Sequence, residues 1–270
     1  VAAANWAPTS SPLMTRWARE VTPDNVWAKY PRPQFKRENW MNLNGLWDLA
    51  LREKAQVQPP QFDRQILVPF SVEAPLSGIG ERANHVAYRK SFEIPADWQD
   101  QRVLLHFDAV DWQTSVTLNG KRLSTLDGDD THEGGYDRFS YDISDALTTS
   151  GQNELIVSVF DPTEHGDQPR GKQVTQSHGI WYTPTTGIWQ TVWLEPVSKQ
   201  GSLRRVQFTP NAAGGTVNIK TQTLNAADGS QVEISVETAD GPVVVTMAPN
   251  EEADLKITNP RLWSPEEPHL

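Results

Sequence analysis

Asp161 is the side chain best placed in the sequence to bind a polar ligand. It stands where a strongly apolar strand pattern runs into a long loop that contains glycine and proline and ends at residues 184–187. A carboxylate at such a position can accept hydrogen bonds from sugar hydroxyls. The next residue is Pro162, however, and an Asp-Pro pair also starts turns in which the aspartate satisfies its own backbone. On spacing alone the turn interpretation of Asp161 is favoured over the binding one.

Aromatic rings near this loop offer a second kind of contact, because a ring at a loop rim can stack on the apolar face of a pyranose. Trp181 and Tyr182 come before the next strand and are candidates for such stacking. Trp189 and Trp193 lie within that strand, where a ring belongs to the core. The position of each ring therefore decides which role we expect.

The acidic segment 127–133 could hold Ca²⁺ through its alternating carboxylates. Its spacing does not fit the EF-hand loop, so we expect a solvated acidic loop instead. The six histidines are scattered along the chain. His106 stands in an apolar run, where a hydrogen-bonded core imidazole is expected rather than a ligand.

Motifs that carry catalysis are missing from the sequence. It contains no nucleophile elbow, phosphate loop, dinucleotide fingerprint or His-Glu-x-x-His motif. The absence of cysteine excludes disulfides, thiolate zinc sites and cysteine nucleophiles. Two facing carboxylates cleave glycosidic bonds, but no such pair stands out. We therefore expect no catalytic residue, no metal and no cofactor in this chain.

Composition narrows the possible partners. The 270 residues include 24 basic and 34 acidic side chains, a formal net charge of −10. An acidic chain without a Lys/Arg cluster is an unlikely partner for nucleic acid. No apolar run approaches the roughly 20 residues needed to cross a bilayer. The small residues 1–4 resemble the tail that remains after signal-peptide cleavage, which predicts a periplasmic or secreted protein, although a boundary chosen for expression is the alternative.

Alternation with period two dominates the chain from Leu46 onward. One such face carries Leu155, Val157 and Val159, and residues 188–194 alternate with apolar residues on both faces, as in a central strand. Asn119-Gly120 matches a two-residue hairpin turn. Residues 142–147 could form one helical turn. The pattern predicts an all-β protein of the sandwich or jelly-roll type.

Both ends of the chain depart from this pattern. The first 40 residues mix prolines with Trp6, Trp17, Trp27 and Trp40, which predicts an arm laid across a domain with its tryptophans as anchors. A polar boundary falls at residues 199–202, and five shorter strands separated by Gly-containing turns follow it. That spacing favours an immunoglobulin-like sandwich, for which about seven strands are expected, so this domain is predicted to be incomplete.

Several stretches, taken in order, resemble the N-terminal part of the family 2 glycoside hydrolases, the family of β-galactosidases, β-mannosidases and β-glucuronidases. The matching stretches are 42–48 (NLNGLWD), 68–70 (VPF) with Glu73, 88–92 (YRKSF), 107–112 (FDAVDW), 153–155 (NEL), 161–163 (DPT), 170–173 (RGKQ), 179–190 (GIWYTPTTGIWQ) and 262–265 (LWSP). Each stretch is short, but the ordered set extends over roughly residues 30 to 270.

The resemblance implies an N-terminal arm (1–34), a jelly-roll sugar-binding domain (35–199) and a truncated immunoglobulin-like β-sandwich (200–270). The family's catalytic TIM barrel, with its two glutamates, is absent from this sequence. By position, Asp161 matches an aspartate that contacts sugar hydroxyls at the mouth of the barrel. The loop 73–84, beginning at Glu73, would line the same pocket.

The residues and the resemblance leave three candidate functions, each of which can be tested. The first is the non-catalytic sugar-binding and immunoglobulin-like part of an exported retaining β-glycosidase, inactive alone and partnered by the missing barrel and by a β-glycoside. The second is a stand-alone carbohydrate-binding module, which would bind oligosaccharides saturably by itself. The third is a structural spacer, in which replacing Trp181 or Asp161 would leave the parent enzyme unchanged.

Overall fold

The computed structural model describes residues 6–32, 34–52, 61–148, 151–238 and 240–269. The chain divides into two compact units, Val1–Pro196 and Val197–Leu270. The domain start predicted at residue 200 lies close to this division. Residues 1–4, on which the expectation of export rests, lie outside the described residues.

The described part of the first unit contains short antiparallel strands and single-turn 3₁₀ helices. The strands are β1 Met41–Asn42, β2 Gly45–Arg52, β3 Arg64–Val68, β4 His85–Phe92, β5 Arg102–Phe107, β6 Val110–Asp111, β7 Gln113–Leu118, β8 Lys121–Arg122, β9 His132–Glu133, β10 Phe139–Asp142, β11 Asn153–Phe160, β12 Gly187–Ile188 and β13 Val192–Val197. The 3₁₀ helices are Arg16–Glu20, Pro75–Ser77, Ala96–Trp98 and Ser144–Ala146, and the last confirms the predicted turn within 142–147.

Two sheets enclose the core of the first unit. One has the strand order β1-β13-β5-β10, and the other β3-β2-β4-β11-β7-β8 with β9 also paired to β7. Strands β6 and β12 form a separate pair. One continuous cluster of buried side chains draws on both sheets, with Tyr88 and Leu155 from one and Leu105 and Tyr141 from the other.

Period-two alternation explains which side chains enter this core, because successive residues of a strand point to opposite faces. On β11 the predicted face of Leu155, Val157 and Val159 is buried, whereas Glu154 and Ser158 are exposed. The hairpin between β7 and β8 turns at Asn119 and Gly120, with φ of 50° and 79°, so the predicted turn is confirmed.

Residues 188–194 do not form the single continuous strand that the sequence predicts, so this prediction is wrong. The chain pairs first with β6 through β12, and then joins the other sheet as β13. Between them, the backbone amides of Trp189 and Gln190 both lie within hydrogen-bond reach of the Ala109 carbonyl, and this interrupts the ladder. The central position is confirmed, because β13 lies between β1 and β5.

The N-terminal segment confirms only part of the expected tryptophan anchoring. The Trp6 indole donates to the carbonyl of Ser77 at 3.2 Å, and Trp40 packs edge-on against Tyr30. Trp17 and Trp27 are instead exposed. Trp27 lies in a turn at a positive φ, and the Arg16 guanidinium lies 4.4 Å from the Trp17 ring.

The described part of the second unit contains five strands, as the sequence predicts. They are β14 Ser202–Asn211, β15 Thr216–Leu224, β16 Val232–Val236, β17 Val243–Met247 and β18 Glu252–Lys256. They form one sheet in the order β14-β15-β18 and a second, β16-β17. The all-β prediction is therefore confirmed. Among the described residues, no helix has the length and apolar character needed to cross a bilayer.

Candidate functional site

Three acidic side chains and one threonine meet where strands of the first unit give way to loops. Asp161 directly follows β11, Thr186 directly precedes β12, Asp111 ends β6, and Glu73 lies in the loop after β3. Because Gly187 pairs with Asp111 across the two short strands, Thr186 is held next to β6. We call Glu73, Asp111, Asp161 and Thr186 the Thr186 cluster.

Asp161 is 3 % exposed, and both of its carboxylate oxygens accept hydrogen bonds from its own chain. Its Oδ1 accepts the backbone N–H of Thr163 at 2.7 Å, so the turn interpretation of the Asp-Pro pair is confirmed. Its Oδ2 accepts the Thr186 hydroxyl at 2.6 Å. These bonds join the two ends of the loop 161–186. A carboxylate can accept about four hydrogen bonds, so Asp161 keeps acceptor capacity for a ligand.

Glu73 reaches the same threonine from the other side. Its Oε2 accepts the Thr186 backbone N–H at 3.0 Å. Its Oε1 is buried, and no described group hydrogen-bonds to it. Burial, assisted by the negative charge of Asp161, raises the pKa of Glu73 to about 7. Near neutral pH this carboxyl therefore exchanges between a donor and an acceptor form.

Asp111 is the third acid of the cluster and is 7 % exposed. Burial first, and then the charges of Asp161 and Glu73, raise its pKa to about 7, against a hydrogen bond from the Gln173 side chain. A Cβ added at Gly135 would lie 2.8 Å from Asp111 Oδ1, so glycine is needed for this approach. Acids with raised pKa values concentrate at functional sites, although structural clusters produce them too.

Tyr88 and Gly187 are in close contact next to the cluster. The Tyr88 hydroxyl accepts the Ile188 N–H at 3.2 Å and occupies the space in which a side chain at residue 187 would begin. Gly187 also has a φ of +88°, a region that favours glycine. The backbone that carries Thr186 is thus fixed by the core.

Comparison with known proteins supports the fold and finds a family match in the part of the chain that carries Asp111, Asp161 and Thr186. Residues 76–191 match the family model described as "Glycosyl hydrolase 2 galactose-binding domain-like". This part of the first unit therefore resembles the galactose-binding-like domain of glycoside hydrolase family 2. The resemblance identified in the sequence is therefore confirmed.

Curated relatives carry names of β-glycosidases and are much longer. A β-galactosidase of Thermoanaerobacter pseudethanolicus is 26 % identical over 201 residues, which cover 68 % of this chain and 24 % of the relative. A β-glucuronidase of Bacteroides fragilis is 24 % identical over 235 residues, which cover 82 % of this chain and 33 % of the relative. The chain thus spans about a quarter to a third of these proteins.

Solved structures agree in fold. The β-glucuronidase of Lactobacillus rhamnosus superposes with a TM-score of 0.65 at 22 % identity, over 88 % of this chain and 41 % of that one.

The fold of the first unit places the two predicted ring contacts beside the cluster rather than in it. Tyr182 forms an isolated bridge with Gln173, whose side chain accepts the Thr185 N–H and bonds Asp111. The Tyr182 side chain is 63 % exposed. Trp181 is half-buried, with the Arg170 guanidinium 5.9 Å from its ring.

Two further expectations concern the remaining rings and histidines. Trp193 is 2 % exposed and belongs to the core, as predicted. Trp189 is half-buried, and its indole donates to the Gly135 carbonyl at 2.8 Å. His106 is a hydrogen-bonded core imidazole, as predicted, with Nδ1 2.6 Å from the Ser140 hydroxyl.

The acidic segment 127–133 is tied to its surroundings through hydrogen bonds. Asp130 accepts the Ser124 hydroxyl at 2.6 Å, and Arg122 donates to the Asp130 carbonyl at 3.1 Å. Within the parts of the chain that the structure describes, no group of three His, Asp or Glu side chains is arranged to hold a metal ion.

Asp111, Gln173 and Thr186 were missed as site residues. Asp111 and Gln173 lie far apart in the sequence, and although both fall in stretches that resemble the family (107–112 and 170–173), neither was singled out as a binding residue. The β6–β12 pairing and the loop 161–186 bring them together, and neither can be derived from strand patterns alone. The one usable signal was Gly187, because a glycine between two threonine-rich and aromatic stretches indicates a close backbone approach.

Proposed function

We propose that this chain is the non-catalytic sugar-binding and immunoglobulin-like part of an exported retaining β-glycosidase of family 2. In this proposal the two catalytic glutamates belong to a TIM barrel outside the chain. The observation that carries it is the ordered likeness to β-glycosidases of which the chain spans only 24 % and 33 %.

The geometry of the Thr186 cluster supports a binding role rather than a catalytic one. A retaining pair needs two carboxyls about 5–5.5 Å apart that face each other across the scissile bond. Glu73 and Asp161 instead both turn toward one threonine, which occupies the space between them. This arrangement supports a role in holding the loop rather than in cleaving a bond.

In this role Glu73 would contact the sugar and Asp161 would hold the loop that presents it. The unpartnered Oε1 of Glu73 can donate to a sugar oxygen when protonated and accept from a hydroxyl when ionised. Asp161, closed into its turn, fixes the loop 161–186, and its remaining acceptor positions are open to a hydroxyl. Trp181 and Tyr182 would border the same pocket. Misplacement of such groups by about 1 Å can cost a hundredfold in rate.

Variants in the enzyme formed by this chain and a matching family 2 barrel test the proposal. We expect Asp161→Asn and Glu73→Gln to lower kcat/KM on an aryl β-glycoside by at least about tenfold, because hydrogen bonds to charged groups are worth roughly 1.5–3 kcal/mol. Glu93→Gln, an exposed carboxyl of the same unit, is the control. Unchanged kinetics in both site variants would favour a structural spacer.

The exposed ring of Tyr182 favours a second candidate, a stand-alone carbohydrate-binding module. Calorimetry of the 270-residue chain with neutral oligosaccharides separates the two. Saturable binding that is lost in Tyr182→Ala would support the stand-alone module. No binding by the unaltered chain would favour the part of an enzyme. Export to the periplasm or the medium stays a prediction, and fractionation of producing cells tests it.

A further inference from the structure

A cavity of the first unit, next to the Thr186 cluster, is lined by several basic side chains. It has a volume of about 360 Å³ and is lined by Arg52, Arg64 and Arg82 together with Glu81 and Asn84. Known small-molecule pockets begin at about 300 Å³, so a single sugar residue is within its capacity. Three arginines and one glutamate line this cavity, whereas acidic side chains outnumber basic ones in the whole chain, whose net charge is −10.

Hydrogen bonds and one ion pair hold the arginines of the cavity. Arg64 pairs with Glu81 at 2.7 Å, and both side chains are about half exposed. Arg82 donates from Nη2 to the Thr163 hydroxyl at 3.2 Å, and Arg52 donates to the carbonyls of Leu51 and Gln61. A hydroxyl acceptor orients the Arg82 guanidinium without neutralising it. The Arg82 fork is therefore pre-oriented but still positively charged.

Two buried polar atoms of the wall lack partners among the described residues: Arg82 Nε and the side-chain oxygen of Asn84. Leaving such atoms unbonded costs roughly 1–3 kcal/mol each. A small rotation of either side chain toward the cavity would give it a ligand partner. Arg82 Nε–H needs an anionic or carbonyl oxygen, whereas the Asn84 oxygen needs a donor such as a hydroxyl.

We propose that this cavity binds a sugar residue that carries a carboxylate or a sulfate. The planar guanidinium of Arg82 would bind the anionic group through two parallel N–H···O bonds. Asn84 would accept a ring hydroxyl. This proposal does not depend on the chain's being part of a glycosidase.

Calorimetry of the 270-residue chain at low salt tests the proposal, with sodium D-glucuronate, D-glucose 6-sulfate and neutral D-glucose as probes. We expect saturable binding of one or both anionic sugars, little binding of glucose, and weakening as salt is added. The preferred anionic sugar tells carboxylate from sulfate recognition. Equal binding of glucose would overturn the proposal. Competition by inorganic sulfate as tight as that of the anionic sugars would overturn the recognition of a sugar.

Two substitutions with opposite expected effects make the test independent of folding defects. Arg82→Gln should weaken binding by roughly tenfold or more. Glu81→Gln removes the carboxylate that competes for Arg64 and should tighten binding by about two- to fivefold, and its exposed side chain makes it safe for folding. Arg205→Gln, an exposed arginine of the second unit, is the control of equal charge. Unchanged affinity in both cavity variants would overturn the assignment of the site.

Discussion

Thr186 is the residue on which the acidic cluster depends. Its hydroxyl donates to Asp161 and its amide to Glu73, so one fully buried residue satisfies a bond to each of two acids. Buried carboxylates are costly unless they are hydrogen-bonded. The threonine therefore makes it possible to keep two acids so close to the core.

Replacing this threonine gives a direct test of that dependence. Thr186→Val keeps the shape but removes the donor to Asp161, and we expect it to lower the free energy of unfolding by about 1–3 kcal/mol. Urea unfolding of the 270-residue chain measures the change. Thr183→Val, at an exposed position three residues earlier, should change stability by less than about 0.5 kcal/mol. Equal effects of the two variants would contradict the role given to Thr186.

The raised pKa values of Glu73 and Asp111 predict an unusual dependence of stability on pH. Both pKa values are raised to about 7 in the folded chain, from 4.5 and 3.8. The folded state then binds more protons than the unfolded state between those values, so stability falls as pH rises from about 4 to 7. The stabilisation is complete below the unfolded pKa values and is lost as pH passes through 7.

The double variant Glu73→Gln, Asp111→Asn should remove this slope, which we expect to amount to roughly 1–3 kcal/mol per group. Unfolding free energies measured from pH 4.5 to 8 for the variant and for the unaltered chain give the difference. A difference that stays constant over this range would contradict the raised pKa values.

At the scale of elements, a buried ion network ties the N-terminal segment to strand β13. Glu195 of β13 is completely buried and lies 2.5 Å from Arg32, 3.0 Å from Arg37 and 3.2 Å from Nε2 of His106. The Tyr30 hydroxyl donates to it at 3.3 Å. The arginines and His106 keep the pKa of Glu195 below its usual value despite burial.

Removing the charge of Glu195 should release that segment. Breaking a buried pair by removing one partner costs about 3–5 kcal/mol. We expect Glu195→Gln to destabilise the first unit by roughly 3 kcal/mol and to speed hydrogen exchange of residues 30–32 and 34–37. Glu154→Gln, at a half-exposed carboxyl 4.0 Å from Arg89, is the control and should change neither quantity. Equal exchange rates in the two variants would contradict the role of Glu195 in holding the N-terminal segment.

Elements were more predictable from the sequence than the site. Alternation at Leu155, Val157 and Val159 depends only on the strand period, and Asn119-Gly120 only on local turn chemistry, so both were found. The break between β12 and β13 was missed, because it depends on the remote carbonyl of Ala109. Asp161 was found as a polar residue at a strand end. Its partner Thr186, 25 residues later, is indistinguishable in sequence from the neighbouring Thr185.

At the scale of the whole molecule, the central claim is that the chain binds and positions but does not itself cleave a glycosidic bond. Two all-β units and an acidic cluster closed on one threonine fit that role. The much greater length of the curated relatives leaves room for a catalytic domain elsewhere.

The most direct measurement is turnover of aryl β-galactoside, β-glucuronide and β-mannoside by the purified 270-residue chain, alone and joined to a matching family 2 barrel. The account predicts that the chain alone releases no more aglycone than buffer, and that activity arises only with the barrel. Turnover by the chain alone that is lost in Glu73→Gln or Asp161→Asn would contradict it.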